Sequence, residues 1–488
     1  MATTGAPASG NPHASISTPI GSAMIDRSTP LAKNIGFVST RFAGTDGVSL
    51  EACKWARMFE EMGCRCFWFA GDSDRESAKS RIVPEAHFQH EKNRWINEQV
   101  LGSTRRTPLV TRTIHELRSL LKAQLHRFIE QFQIDLIIAE NVLTIPMNVP
   151  LGLALTEVLA ETQIPGISHN HDFYWERVRY AVNAVGDYLR MAFPPNLPNL
   201  RHVVINSEAQ EQLALRAGIA STIIPNVLDF EHGPAEVPLA GSHAFRESNG
   251  LSADDRLILQ PTRVIRRKGI EHAIALVKAL DDPLNKLLVS HEAGDEGLEY
   301  GRWLKEFASD NRVDLRFVQQ RISAPWTKRD RHRCPYTLWD VYPHADFITY
   351  PSLCEGFGNA FLEAVFFRKP VLINRYSTFV RDIEPLGFDL IVMDGYLTRD
   401  VVSRVQAVLE DADRREAMVR RNYAVAARHF AYGVLRDQFD MLLKPFFGPK
   451  SAVSGIPQTP PSEKPRPAGP DDRPFHGEPP EPLAAAGA

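Results

Sequence analysis

The sequence predicts an α/β protein of two doubly wound, Rossmann-like domains with disordered segments at both ends. Three observations lead there. The chain has 488 residues, more than the roughly 250–300 at which a single core stops growing. Short β-branched or aromatic runs alternate with amphipathic stretches, the pattern of βαβ units around parallel sheets. The two ends are rich in Ala, Ser, Thr, Gly and Pro and lack periodicity, so neither can pack a core.

Taken in order, residues 1–32 read as a disordered lead. The first domain, 33–215, has strand candidates at Ile35–Ser39, Cys66–Phe69, Leu136–Ala139, Gly166–His169 and Val203–Asn206. A Pro/Asn-punctuated crossing segment, Ile223–Asp229, leads into the second domain, 216–430. Its strand candidates are Leu257–Pro261, Lys286–Ser290, Leu315–Val318, Phe347–Tyr350, Val371–Asn374 and Leu390–Met393. Arg415–Arg428 and Tyr432–Leu443 read as helices, with Pro445 and Gly448 as stops. The final helix, within 431–447, is expected to pack back on the first domain. Residues 449–488 hold eleven of the 35 prolines, which makes 448–488 a disordered tail.

Composition narrows the function. A net charge of −3 supplies no positive field for nucleic acid or anionic membrane, and favours a small-molecule substrate. No window reaches the roughly 18 apolar residues that span a bilayer, and no basic-then-apolar leader opens the chain; a cytoplasmic enzyme is expected. The five cysteines, Cys53, Cys64, Cys66, Cys334 and Cys354, form no paired C-x-x-C knuckles and read as reduced core residues.

The most informative segment runs from Tyr350 to Val365, where an apolar strand feeds a glycine turn that opens a helix near Gly358. A helix start offers unpaired amides and about half a positive charge, which suits an anion. Gly356 and Gly358 let the backbone approach a diphosphate, and Phe357, Asn359 and Ala360 complete that turn. Glu363 lies about one and a half turns in, roughly 7–8 Å along the axis, within reach of a ribose, whose hydroxyls a carboxylate accepts. Glu355, before the turn, stands near the transferred group. Gly356-x-Gly358-x-x-Phe361 is no dinucleotide fingerprint, because Phe replaces the third glycine. A second strand-to-helix turn, Gln260–Gly269, gathers Arg263, Arg266, Arg267 and Lys268. Four cations at one βα corner suit a polyanion.

These two elements, in this order, resemble the retaining glycosyltransferases of family 4, which have the GT-B fold. The family's E-x7-E motif is similar to Glu355…Glu363, and its Arg–Lys phosphate pair looks like Arg263 and Lys268. The resemblance implies a nucleotide-diphosphate sugar as donor, a small-molecule or glycan acceptor bound by the first domain, and no metal or other cofactor. Ala43–Glu51 looks like the family's glycine-rich loop, with Gly44 and Gly47 in a single G-x-x-G; an ordinary turn capped by Asp46 is the competing reading. In the family a His at the fifth strand's end lines the cleft beside the reacting sugar. Here that is His169 or His171, with His171 farther toward the loop and Asp172 beside it. A zinc site on H-x-H lacks further ligands at ordinary spacing. The stretches Ser168–Arg177 and Tyr342–Ser352 look like the mannosylglucosylglycerate synthase subgroup, which uses GDP-mannose, and the basic loop 328–333 could meet an acidic acceptor. A cell-envelope or polysaccharide acceptor, a GT-B epimerase or phosphorylase, and a silent nucleotide-sugar binder share the architecture. A pyridoxal-dependent phosphorylase would need a Schiff-base lysine that no motif announces.

Overall fold

The central strands β1 (Asn34–Val38), β4 (Leu136–Glu140) and β5 (Gly166–Asn170) are buried at every position, as strands covered on both faces of a parallel sheet are; β1 and β4 are mainly apolar, while β5 buries Ser168, His169 and Asn170. The computed structural model describes residues 32–44, 47–234, 245–290, 298–317, 322–323 and 336–448. With β2 (Arg65–Ala70), β3 (Ser80–Ile82), β6 (Leu200–Val204) and β7 (Ser221–Ile223), these strands make an all-parallel sheet in the order β3-β2-β1-β4-β5-β6-β7. The second sheet joins β8 (Arg256–Gln260), β9 (Asn285–Val289) and β10 (Leu315–Phe317) to three later strands. Those are β13 (Phe347–Tyr350), β14 (Val371–Asn374) and β15 (Ile391–Met393), and the order is β10-β9-β8-β13-β14-β15. Two short strands, β11 (Ile322–Ser323) and β12 (Tyr336–Thr337), pair only with each other.

Both sheets reverse direction of winding at one place, between β1 and β4 in the first and between β8 and β13 in the second. Open α/β sheets bind ligands outside the strand ends at that switch point. The loops following these four strands are therefore where function is expected. Residues through Phe446 form one compact unit, while a second unit, Phe447–Ala488, falls almost wholly outside the described residues.

Several expectations change. Ser221–Ile223 adds to the first sheet as its edge strand, so the first domain extends beyond residue 215. β3 and β7 escape sequence reading because each is three residues long and partly polar. β6 begins at Leu200, ahead of the expected Val203. Pro445 does not stop the last helix, Tyr432–Phe447, but lies inside it. Cys354 is exposed, not a core residue. The tails, Asp46, loop 328–333 and Cys334 lie outside the described residues.

The last helix returns to the first domain. Phe439 stacks on Phe59 with ring centroids 4.4 Å apart and meets Trp55 edge-on at 4.7 Å; both partners lie on α1 (Gly47–Glu61). Among the described residues no helix is long and apolar enough to cross a membrane.

Burial also writes a pH dependence into the core. His202 is 4% exposed, and its Nε2 lies 3.0 Å from the Pro195 carbonyl. Burial lowers its pKa from 6.5 to about 4, against that hydrogen bond. A lowered folded pKa means stability that is complete above the unfolded value, near 6.5, and is lost as pH falls through about 4. His202→Asn is expected to remove on the order of 3 kcal/mol of that acid-side loss, read as a flatter plot of denaturation midpoint against pH. An unchanged slope would assign acid unfolding to other groups.

Candidate active site

The side expected to hold the donor grows from β8 and β13. The turn after β8 brings Lys268 inward, 8% exposed, where its Nζ pairs with Oε1 of Glu355; Arg267 Nη1 reaches the other carboxylate oxygen at 3.2 Å and the Cys354 carbonyl at 3.0 Å. Burial pulls the Lys268 pKa down against the attraction of Glu355. Burial alone would raise Glu355, but the Lys268 charge and hydrogen bond hold it below the usual carboxylate range. Arg263 is exposed and close enough to Lys268 to depress it further. Its guanidinium makes no hydrogen bond or ion pair with any described residue, while its carbonyl accepts from the Ile265 amide at 3.0 Å. The two loops touch at one point that only glycine allows: Gly269 has φ +61°, and a Cβ there would lie 2.5 Å from the Pro351 carbonyl oxygen.

Gly269→Ala should therefore cost at least about 1–2 kcal/mol for the left-handed backbone, and the clash adds to it. Gly218→Ala, at φ +66° with nothing within 4 Å of the added carbon, carries the backbone penalty alone. Chemical denaturation of both variants measures the difference, and equal losses would remove the steric constraint between the loops.

The donor helix, Asn359–Phe366, starts at Gly358, whose φ is +119°. A Cβ there would meet the Tyr376 hydroxyl at 2.7 Å. Helices beginning after Thr107, Asn148, Asn206, Thr398 and Asp411 are capped by those side chains; the donor helix has no side-chain cap. Its first amides thus have no side chain to satisfy them, as a phosphate-binding turn requires. The turn is held from outside, with the Tyr376 hydroxyl donating to the Phe357 carbonyl at 2.9 Å and Thr378 Oγ1 to the Glu355 carbonyl at 3.0 Å. Phe357 itself turns into the core, 3% exposed and edge-on to Phe430, which corrects its expected place against substrate. Ala360 offers its carbonyl to the Tyr342 hydroxyl at 3.3 Å. That hydroxyl shares its single proton between this carbonyl and the nearer Oε2 of Glu363, at 2.9 Å. Burial raises the Glu363 pKa, opposed by this bond and by the nearby Lys54 charge.

The side expected to hold the acceptor grows from β1, β4 and β5. The parallel register sets Glu140 beside His169, and His169 Nδ1 lies 3.2 and 3.1 Å from its two oxygens. His169 is 1% exposed and stacks on Trp55 at 3.9 Å. His171 keeps 10% exposure, and its Nε2 lies 3.6 Å from Glu140 Oε2. A Cβ on Gly356 would sit 3.5 Å from the His171 carbonyl oxygen, so His171 and not His169 borders the donor turn. Asp172 is taken up by Arg177 and by Asn141 Nδ2 at 2.7 Å, which ties down its loop. Gly44, at φ +87°, donates its amide to Asp74 at 3.2 Å. Gly47 opens α1 where an added Cβ would stand 3.6 Å from Asn359 Nδ2.

H-x-H was expected to lack a third ligand, but the β4–β5 register supplies one. Among the described residues, Glu140, His169 and His171 form the metal-competent group, with ligand atoms within 4.8 Å of one another. Two imidazoles and a carboxylate could hold a first-row divalent cation. His169 Nδ1 is already within hydrogen-bonding distance of both carboxylate oxygens without one.

Sequence reading missed the residues that join the two sides. Asn206 caps its helix through Oδ1, which accepts from the Ala209 amide at 2.7 Å, while its Nδ2 donates to the Gly356 carbonyl at 2.5 Å. Asn226 Nδ2 donates to Asn359 Oδ1 at 2.6 Å. Lys54 Nζ pairs with the buried Glu51 and donates to the Val227 carbonyl at 2.8 Å. An asparagine just beyond an apolar strand and ahead of a helix is the one sequence signal that could have marked Asn206.

Two doubly wound parallel sheets, whose loops are joined by the Asn206–Gly356 and Asn226–Asn359 hydrogen bonds, define the GT-B architecture. No family model matches the chain. It is 32% identical over 379 residues to a mannosylglucosylglycerate synthase of Petrotoga mobilis, covering 73% of this chain and 86% of that one. It is 29% identical to the Thermotoga maritima protein of the same name, covering 83% and 98%. A solved Anabaena protein in complex with UDP and glucose shares the fold with a TM-score of 0.59 at 14% identity, over 84% of this chain and 99% of that one. The chain belongs to the mannosylglucosylglycerate synthase family and is a hexosyltransferase.

Proposed function

We propose that the chain transfers a mannosyl group from GDP-mannose to a glucosylglycerate acceptor, with retention at the transferred carbon and no metal ion at the diphosphate. The sugar and acceptor follow from the name its relatives carry. One observation carries the chemistry: Arg263, Lys268 and the uncapped start of the donor helix gather at the switch point of the second sheet.

As the anomeric C–O bond to the diphosphate breaks, negative charge grows on the leaving oxygen and positive charge on the ring. The two cations and the helix amides stabilise the first. The acceptor oxygen bonds to the anomeric carbon from the face the diphosphate leaves, and its proton passes to a diphosphate oxygen. Glu363 accepts from the ribose hydroxyls while Tyr342 and Trp339 hold its carboxylate in place. Glu355 orients Lys268 and meets the sugar hydroxyls.

The test is incubation with glucosylglycerate and either GDP-mannose or UDP-glucose, with and without EDTA, following nucleotide release and determining the product's anomeric configuration by NMR. Release from GDP-mannose alone, unaffected by EDTA, with an α product from the α donor is expected. An inverted product, or loss of turnover in EDTA, would overturn the mechanism; preference for UDP-glucose would overturn the donor.

A further inference from the structure

The acceptor half contains a buried acid that the mechanism above does not use. Glu140 is fully buried at the end of β4, where a carboxylate is costly unless it is satisfied. Among the described residues its oxygens face two imidazoles and no Lys or Arg: His169 Nδ1 at 3.1 and 3.2 Å, and His171 Nε2 at 3.6 Å from Oε2. The His171 Nε2 is itself buried without a hydrogen-bond partner. Its backbone amide is held by Asn141 Oδ1 at 3.1 Å, which fixes the residue against rotating away.

We propose that Glu140 is a positioning residue for sugar transfer: a single carboxylate faces His169 Nδ1 and His171 Nε2, sets both imidazoles in the tautomer that carries a proton on that nitrogen, and leaves His171 Nδ1 as an acceptor. The inference rests on the glycosyl-transfer reading of the crevice. Burial pushes the Glu140 pKa up to about 7; above that pH it is a carboxylate, which accepts and does not donate, so each nitrogen turned toward it must then carry the proton. The histidines then have opposite patterns: His169 is protonated on Nδ1 and His171 on Nε2. His169 is the rigid member, clamped between Glu140 and the Trp55 ring. Its ring lies 4.4 Å from that of His171 and limits where the latter can tilt. His171 is the working member, because its side chain keeps 10% exposure against 1% for His169 and its backbone carbonyl lies against the Gly356 turn. A neutral His171 with a free Nδ1 lone pair can accept a hydrogen bond from a hydroxyl of the transferred sugar.

Glu140→Gln tests this without changing shape. The amide can still accept from His169 through its oxygen, but it turns an N–H toward His171 Nε2 and so demands the opposite tautomer there. Nitrogen-15 NMR of histidine-labelled protein should show the His171 pattern inverting while that of His169 stays, whether or not the enzyme turns over. With GDP-mannose and glucosylglycerate, kcat should fall about tenfold to a hundredfold, the size of a misplaced reacting group, with KM for the donor within about twofold and an unchanged melting temperature. His171→Ala should lower kcat at least as far, and adding Glu140→Gln to it should change kcat no further. The proposal fails if the His171 tautomer is the same in wild type and variant. It fails if the two substitutions lower kcat additively, or if the variant loses melting temperature without a change in kcat. One equivalent of bound metal in the purified enzyme, lost in Glu140→Gln, would also overturn it by making the carboxylate a metal ligand. Failure of wild-type turnover would strike the glycosyl-transfer reading, and the NMR comparison would still decide the tautomer.

Discussion

Arg263→Ala is expected to lower kcat for sugar transfer by about 10²–10³, the usual loss when one preorganised donor to a developing anion is removed, while leaving stability within about 0.5 kcal/mol of wild type. The stability half follows because the guanidinium is exposed and paired with no described residue, so no described contact relies on it. Lys268→Met should show a similar kcat loss together with a stability loss, since it strips the 9%-exposed Glu355 of its nearest counter-charge and leaves Arg267 to compensate alone. Paired measurements of kcat and melting temperature on the two variants separate chemistry from folding. If Arg263→Ala retained more than a tenth of wild-type kcat, the diphosphate would not lie where the two cations converge.

Lys54→Met is expected to have the largest effect on stability, about 3–5 kcal/mol, because breaking a buried pair leaves an uncompensated charge. Glu51 is 1% exposed and its second oxygen has no partner, so Lys54 is what makes its burial tolerable. The lysine also serves the Val227 carbonyl in the crossing segment. Replacing both residues, Glu51→Leu with Lys54→Met, should recover most of the loss, as a well-packed apolar pair often equals a buried ion pair. Urea denaturation of the single and double variants tests this. A double variant as unstable as the single one would place the cost on the Val227 carbonyl instead.

The half expected to hold the donor was legible because its residues are contiguous. An apolar strand, a glycine turn and a helix within sixteen residues put Glu355, Gly358 and Glu363 in fixed relation, and the neighbouring βα corner did the same for Arg263 and Lys268. The acceptor half was less readable because its contacts are made by sheet register and not by spacing. Glu140 and His169 are 29 residues apart, and only the pairing of β4 with β5 sets them side by side. The end of the run Leu136–Glu140 did carry a signal, a charged residue closing an otherwise apolar strand. Asn206, Asn226 and Lys54 have partners 150, 133 and 173 residues away, distances at which sequence pattern says nothing. Phe357 was misplaced for a different reason: inside a glycine turn its neighbours face the crevice, yet its own ring is apolar enough to be drawn into the core beside Phe430.

The two ends of the Asn206 side chain have unequal fates when spent nucleotide departs. Spreading the crevice would strip the carbonyl of Gly356 from the amide nitrogen, and water can take both places at little cost. The oxygen stays on the first turn of its own helix throughout. The latch therefore has a fixed end and a free end, so product can escape without unravelling the element that carries the latch.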